Sequence, residues 1–554
     1  MVLSFGMLPK TGVAQDPEVG VAELDLEASA ATLGIEAARQ GNYSNSVELL
    51  VPLFEENAGG TVVGREPVGY WLGQSLLRTK GAASALHVWH QTLRALSQES
   101  EAWSRTANAF IRTVFGSNVP AYYNVGSQTY LTLIERTGHT DTFSAPVRSA
   151  IRQHVLEAAF VLPDDMKRRV GIDPDRGVRR LSDLTIDEDA GEALSAWWRQ
   201  QDQRVATPLN ERLVEHLARV AEARRSYMHE GYIDARGRVH IRLGAPPITQ
   251  QVTFSDSPTL QREVIRAMPN VSSFDFSPAI YWEYDALGDE AHYLFLESEK
   301  GDVYELGTVA DMIPRHIRQN FTGRSQNTYA YLRSMEVALR QLSIYNPRYM
   351  GRYADVENYI AYLKTGGGID FARPSSQATR VNQQNTIEDH RLKRERRESV
   401  GAAQTSLDTG TPSISVETRW ARFLNDDGTT QTEVYWTART DALTPHTAVD
   451  ADDLSADDLE VDFKTVPKAS RIVTSIRLEN EQHRAVRQAS TQTLVPESSG
   501  NAWLPAQTIT VEASTTPFHL GMQWSQLLGA TAEEAGNFAI RRTTTRIDTL
   551  SELS

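Results

Sequence analysis

Two guanidinium groups flank one glycine at Arg236-Gly237-Arg238, and a carboxylate stands two residues ahead at Asp234. Arginine presents a planar fork of donors, so such a pair could clamp a carboxylate or a phosphate through paired hydrogen bonds. Asp234 beside His229 or Glu230 would suit acid–base work, which needs a proton carrier within reach of a substrate atom. The spacing supplies no nucleophile beside them. Met228-His229-Glu230 lacks the second histidine of the H-E-x-x-H zinc helix, and the chain has no P-loop, no G-x-G-x-x-G and no G-x-S-x-G. Arginines of this kind more often pair with acids of their own domain, and Asp202 and Glu211 are the candidates. His87 and His90 could share a metal, but no carboxylate stands at a matching position and Trp89 lies between them; solvated helix histidines are the simpler reading. No catalytic, cofactor-binding or metal-ligating residue is assigned from spacing.

Composition narrows the classes. With no cysteine among 554 residues, thiolate catalysis, disulfides, cysteine-ligated zinc and a lipoprotein anchor are excluded. The formal charge of −15 argues against a general nucleic-acid binder, which needs a basic face to release counterions. The length exceeds what one core sustains, so several domains are expected. No run of about 18 apolar residues occurs, and no transmembrane segment is predicted. Met1–Gln15 is a short apolar run followed by Pro9 and small residues. It resembles the back half of a secretory signal peptide, with Gly12-Val13-Ala14 as the small-residue site. Residues 1–20 are read as its remnant, against the plainer reading of a frayed N-terminus.

From Leu24 to about Arg136 helix follows helix. Ala28–Gln40 is alanine-rich and stops at Gly41-Asn42-Tyr43, and Ser44–Phe54 resumes helical spacing with Val47, Leu50 and Leu53 or Phe54 inward. Tyr70-Trp71-Leu72-Gly73, Leu76-Leu77, Lys80-Gly81, Ala85-Leu86 and Trp89 make a second such pair. The pattern small-x-x-x-Gly-x-Tyr-x-x-Ser-Val-x-x-Leu resembles a tetratricopeptide hairpin, with units spaced by about 40 residues rather than the ideal of about 34. Residues 21–185 are expected to form a tetratricopeptide-like helical domain, or else a generic helical one, and either offers an interaction surface. Val161–Ser182, rich in Pro, Gly and charge, reads as a connector.

Ala196–Pro247 is the most distinctive stretch. Trp197-Trp198 close a helix, and Asp202–Pro208 has the chemistry of a turn. Thr207 is the expected N-cap of the next helix, with Asn210 and Glu211 behind it. Leu213, Leu217, Val220, Ala221 and Tyr227 recur at three- and four-residue steps as one buried stripe. After Gly231 the period becomes two: Val239, Ile241 and Leu243 face one way, His240 and Arg242 the other. That predicts a half-buried strand ended by Gly244-Ala245-Pro246-Pro247. Gly237 suits a tight turn between the arginines, and Gly244 a bend.

These residues resemble the GWxTD family of bacterial proteins. There a Trp-rich helix end leads to an Asp, a Thr-x-x-Asn-Glu turn, a helix, the signature Gly-Trp-x-Thr-Asp-Arg-Gly-Arg and an apolar strand ending in Gly-x-Pro. Trp198, Asp202, Thr207, Asn210, Glu211, Arg236, Gly237, Arg238 and Gly244-Ala245-Pro246 match in order and spacing. Gly231 keeps the glycine and Tyr232 replaces the tryptophan. Asp234-Ala235 stands where Thr-Asp would, which removes the name-giving carboxylate. Tyr281-Trp282-Glu283-Tyr284, Tyr293-Leu294-Phe295-Leu296 and Gly301-Asp302 match the family's later elements. The resemblance implies a leader, helical repeats and trailing β domains around an α/β module at 186–370, and it brings no activity.

Gly307–Thr365 returns to helix, with Val337, Leu339, Leu342, Tyr345, Tyr349 and Tyr353 as an aromatic inner face, and Gly366-Gly367-Gly368 ends it. Residues 371–412 turn polar, and His390–Glu398 is dense in charge; a linker is expected, with a solvated helix as the alternative. From Ser413 the sequence alternates as β, with a hairpin turn at Asn425-Asp426-Asp427-Gly428 and strands at Ile472–Leu478, Gln507–Ala513 and Phe538–Ile547. This predicts an antiparallel β-sandwich over 413–554 whose last strand is cut short. Asp450–Glu460 lacks the glycine and closing glutamate of an EF-hand loop.

The expected fold class is multidomain α+β: tetratricopeptide-like helices, a central mixed α/β module and a C-terminal sandwich. No cofactor is expected. The organisation reads as a non-catalytic envelope or secreted protein that scaffolds unidentified protein partners. A periplasmic hydrolase or carbohydrate-active enzyme with its site at the α/β module, and a cytoplasmic scaffold, stay open as alternatives.

Overall fold

Two glycines in left-handed backbone turn the first helices back on themselves. Gly41 (φ +81°) follows helix α1 (residues 30–39) and leads to α2 (Tyr43–Glu56). Gly81 (φ +90°) joins α3 (Val68–Thr79) to α4 (Ala82–Ala95), a backbone that residues with a Cβ rarely adopt. Each helix pair then seats a large side chain on a glycine. A Cβ added to Gly34 would lie 2.4 Å from Leu50, and one added to Gly73 would lie 2.1 Å from Trp89. Leu50 and Trp89 are fully buried there, which stabilises each pair by about 2–3 kcal/mol per side chain. Helices α5 (Glu101–Gly116) and α6 (Tyr123–Glu135) continue the succession, and Ser100 caps α5 by accepting the Trp103 N–H.

This computed structural model describes residues 30–57, 59–173, 189–202, 209–252, 262, 276–284, 291–298, 301, 303–319, 325–366, 376–397, 416–424, 430–438, 469–480, 483–496, 507–513, 518–527 and 545–547. Among the described residues helix predominates, and antiparallel sheets of three or four strands lie in the C-terminal half. No helix among them is long and apolar enough to cross a membrane. The chain divides into two compact units, Met1–Ile151 and Arg152–Ser554. Within the second unit, Glu157 takes two hydrogen bonds from Arg224 (2.7 and 2.6 Å).

After α7 (Ala145–Ala158), the short α8 (Asp164–Arg169) leads to α9 (Ala190–Gln200) and α10 (Glu211–Ser226). The strand expected at Val239–Leu243 is instead a helix, α11 (Ala235–Leu243). Val239, His240, Ile241 and Arg242 are all buried, so the alternation of apolar and polar residues marks no inside and outside. Asp234 decides the outcome by capping the helix.

Strands β1 (Ile248–Val252), β2 (Ala279–Glu283), β3 (His292–Glu297) and β4 (Tyr304–Leu306) form an antiparallel sheet in that order. Helices α12 (Ser325–Leu342) and α13 (Arg348–Lys364) supply its main core, with Leu339, Leu342 and Tyr349 buried and Val337, Tyr345 and Tyr353 packed against them as the stripe predicts. The expected charged linker begins as α14 (Ser376–Arg397), a helix packed on α13. Beyond it, Val416–Leu424, Thr430–Ala438 and Gln507–Ala513 make one antiparallel sheet. Ala469–Glu479, Ala485–Pro496, Phe518–Leu527 and Thr545–Ile547 make another. Neither the Ala485–Pro496 strand, which lacks a clean alternation, nor the Phe518–Leu527 strand, in which Phe518, Leu520, Met522 and Trp524 do alternate with His519, Gly521, Gln523 and Ser525, is foreseen. Thr207, the Asn425–Gly428 turn, Asp450–Glu460 and most of Phe538–Ile547 lie outside the described residues.

Candidate functional site

Asp234 organises the signature segment. The chain reaches it through a two-residue hairpin pairing Met228–His229 with Tyr232–Ile233, whose turn residues Glu230 and Gly231 have φ of 47° and 87°. Such a turn follows the natural strand twist and calls for glycine at 231. Asp234 is 1% exposed. Its Oδ1 accepts the N–H groups of Arg236 (2.9 Å) and Gly237 (3.1 Å), capping α11. Its Oδ2 accepts the Arg236 Nε (2.8 Å) and Nη2 (2.5 Å). The Arg236 guanidinium lies 3.9 Å from the centre of the Tyr304 ring and 5.4 Å from that of Tyr227. Arg238 reaches Glu305 at 3.1 Å on the surface.

The arginines therefore pair with Asp234 and Glu305, not with Asp202 and Glu211. Gly237 sits in the first turn of the helix and not in a tight turn: a Cβ there would lie 2.2 Å from Ile233 Cγ2. His229 and Glu230 make no side-chain hydrogen bond with Asp234 among the described residues, so the acid–base grouping does not assemble. Tyr232 is 37% exposed on the hairpin.

The other matched positions are structural joints. Asn210, not Thr207, caps α10 by accepting the Leu213 N–H (2.9 Å), and its Nδ2 donates to the Trp198 carbonyl (2.7 Å). One side chain thus ties the end of α9 to the start of α10. Glu211 follows in the first turn, where a carboxylate suits the helix dipole. Trp198 is fully buried, its ring centre 4.7 Å from that of His216. Burial, then the cations Arg212, Arg219 and Arg224, hold the His216 pKa well below its usual value. Gly244 (φ +87°) ends α11, and Pro246 is half-buried before β1. Asp202 goes to Arg477 at 2.6 Å. Arg477 also meets Glu479 (2.8 Å), which His483 approaches at 3.0 Å.

A concavity lies elsewhere, between β3, β4, α13 and α14. It encloses about 370 Å³, counting space open to solvent, and is lined by residues including His292, Leu306, Tyr349, Glu388 and Arg391. Arg391 Nη1 donates to His292 Nε2 (2.7 Å) and Nη2 to the His292 carbonyl. A guanidinium only donates, so the imidazole is neutral with its proton on Nδ1. Burial, then Arg391 and Arg352, pull the His292 pKa down to about 3. Glu388 accepts the Val309 N–H (3.3 Å) and pairs with Arg352 (2.9 Å). Burial raises the Tyr349 hydroxyl above the ordinary tyrosine pKa, so it stays protonated.

Sequence spacing missed this pocket because its groups come from segments about a hundred residues apart, and proximity along the chain was the only guide. The charge run at His390–Glu398 was the available signal, and it read as a linker. Among the described residues no group of three or more His, Asp or Glu is placed to hold a metal ion. Compared with models of protein families the chain matches none, and no curated protein matches it.

Proposed function

We propose that the chain is a non-catalytic scaffold that presents a tetratricopeptide-like helical surface to protein partners. The observation that carries this is the repeated seating of a large side chain on a glycine, Leu50 on Gly34 and Trp89 on Gly73, in successive helix pairs. Stacked pairs of that kind leave an extended face for a partner. The signature charges favour the same reading, since Asp234, Arg236 and Arg238 are spent on a helix cap, ring stacking and an ion pair.

Membership of the GWxTD family belongs to this proposal. Threonine and aspartate are both N-cap residues, so Asp234 in the threonine position keeps the cap that the signature needs. A C-terminal sandwich belongs to it as well: the chain visits one antiparallel sheet, then the other, then both again, as strands of a two-sheet sandwich do. Location in the cell envelope rests on the Met1–Gln15 pattern alone.

The test is photo-crosslinking in the source cells from Leu33, which is 59% exposed, with protease access to intact cells read in parallel. Discrete protein adducts and cleavage from outside are expected. Absence of adducts, together with turnover of ester or glycoside substrates that Arg236→Ala abolishes, would favour the hydrolase alternative.

A further inference from the structure

The charge run at His390–Glu398 has no part in the scaffold role, and the fold gives its helical portion a definite place. Arg380 pairs with Asp355 (3.7 Å), Gln384 donates to the same carboxylate (2.9 Å), and Arg352 pairs with Glu388 (2.9 Å). Residue numbers that rise along α14 fall along α13, so the two helices run antiparallel. The end of α14, Lys393-Arg394-Glu395-Arg396-Arg397, therefore runs past the start of α13 towards the turn that joins it to α12.

That turn is cationic and apolar at once. Residues 337–354 hold Arg340, Arg348 and Arg352 and no acid, in a chain whose formal charge is −15. Ile344 stands in the turn and is 71% exposed; Met350, in the first turn of α13, is 53% exposed. Arg340 and Arg348 are exposed on either side of Ile344 in sequence, while Arg352 is taken by Glu388. Exposed apolar side chains among cations, beside a cationic helix end, have the composition of a surface that attaches to anionic lipid.

We propose that the α12–α13 turn and the end of α14 attach the protein peripherally to an anionic lipid bilayer. Ile344 and Met350 enter the headgroup region, and the cations meet lipid phosphates. Ile344 projects from a helix turn, where a partner helix would find a knob instead of the apolar groove that such recognition uses. A bilayer yields around a projecting side chain. A free anion would leave both apolar side chains in water. This surface belongs to the second unit, and the scaffold reading stands or falls separately.

The test is flotation of the full chain with vesicles, either of phosphatidylcholine alone or of phosphatidylcholine mixed with phosphatidylglycerol. The chain should float with the anionic vesicles and stay behind with the neutral ones. Added salt should release it, because exposed charges are screened. Ile344→Glu changes an exposed side chain, so it should melt with the wild type while weakening attachment at least about tenfold. Arg340→Gln should weaken it about fivefold, the share of one cation near the surface. Leu33→Glu, at an exposed leucine of the first unit, should float as the wild type does. Failure to float with the anionic vesicles, equal flotation with the neutral ones, or Ile344→Glu floating unchanged would each overturn the proposal. So would binding of polyglutamate in place of vesicles, which would assign the surface to an acidic protein partner.

Discussion

Asp234 performs two tasks through two oxygens, and their relative weight can be measured. Oδ1 caps α11 and Oδ2 holds Arg236. Asp234→Ala removes the cap and leaves a largely buried guanidinium without its carboxylate, and should cost about 2–4 kcal/mol in urea unfolding. Asp234→Thr keeps a capping oxygen and drops the charge, so it should fall between the wild type and alanine. A threonine variant no better than alanine would show that the ion pair, not the cap, is what matters. His292 gives a second residue-scale prediction. Its folded pKa is about 3, while the unfolded chain titrates near the usual 6.5. The folded state therefore excludes the proton that the unfolded state accepts. Stability is full above about pH 6.5 and falls on acidification, by about 2 kcal/mol from this ring at pH 5. His216 acts in the same direction. Denaturant midpoints at pH 7.5 and pH 5 should differ accordingly, and His292→Gln, which keeps an acceptor for Arg391, should flatten the difference by that amount.

Among elements, α11 shows a competition that pattern alone decides wrongly. Gly237→Ala would raise helix propensity by about 1 kcal/mol. The added Cβ, however, would lie 2.2 Å from Ile233 Cγ2 and 3.0 Å from Tyr227 Cβ. Overpacking against a strand and a helix end costs about 1–3 kcal/mol, so the variant should be less stable despite its better propensity; a higher melting temperature would mean that the hairpin yields. The same helix marks where the sequence misleads. Stripes such as Leu213–Leu217–Val220, and the tyrosines of α13, were legible because one face meets a core and the other meets water. In α11 both kinds of residue are buried, Arg242 donating to the Tyr293 hydroxyl (2.8 Å) and His240 Nε2 lying 3.1 Å from Glu222. Polarity then no longer reports direction, and period two is left as a false signal. The Asn210 cap was missed for a related reason: Thr207 is also a capping type in the sequence, and only the fold brings the Trp198 carbonyl to the Asn210 amide.

Across the second unit, charge joins what lies far apart in sequence. Arg477, 7% exposed, bridges Asp202 and Glu479, which are 4% and 1% exposed. Arg477→Ala would remove the cation that two buried carboxylates share, Glu479 keeping His483 beside it, and should cost about 3–5 kcal/mol. The double variant Arg477→Ala with Asp202→Ala should recover part of that loss, and full additivity in a double-mutant cycle would mean that the bridge is incidental. Asp202 could not be foreseen, since opposite charges hundreds of residues apart carry no period, whereas Glu479 stands two residues from Arg477 on the same strand, the spacing that shares a face. α14 is attached in the same manner. Ala378 and Val381 are its buried apolar side chains among those described, while Gln384–Asp355, Arg352–Glu388 and Arg391–His292 bind it to its neighbours. Apolar burial tightens in concentrated sulfate, whereas exposed ion pairs fade. The Arg352–Glu388 pair is not of the exposed kind, with 16% and 19% of its side chains open to water, and salt screens such a pair far less. In strong brine the 376–397 helix should therefore stay on the aromatic core of α12 and α13, and a protease added there should leave it uncut.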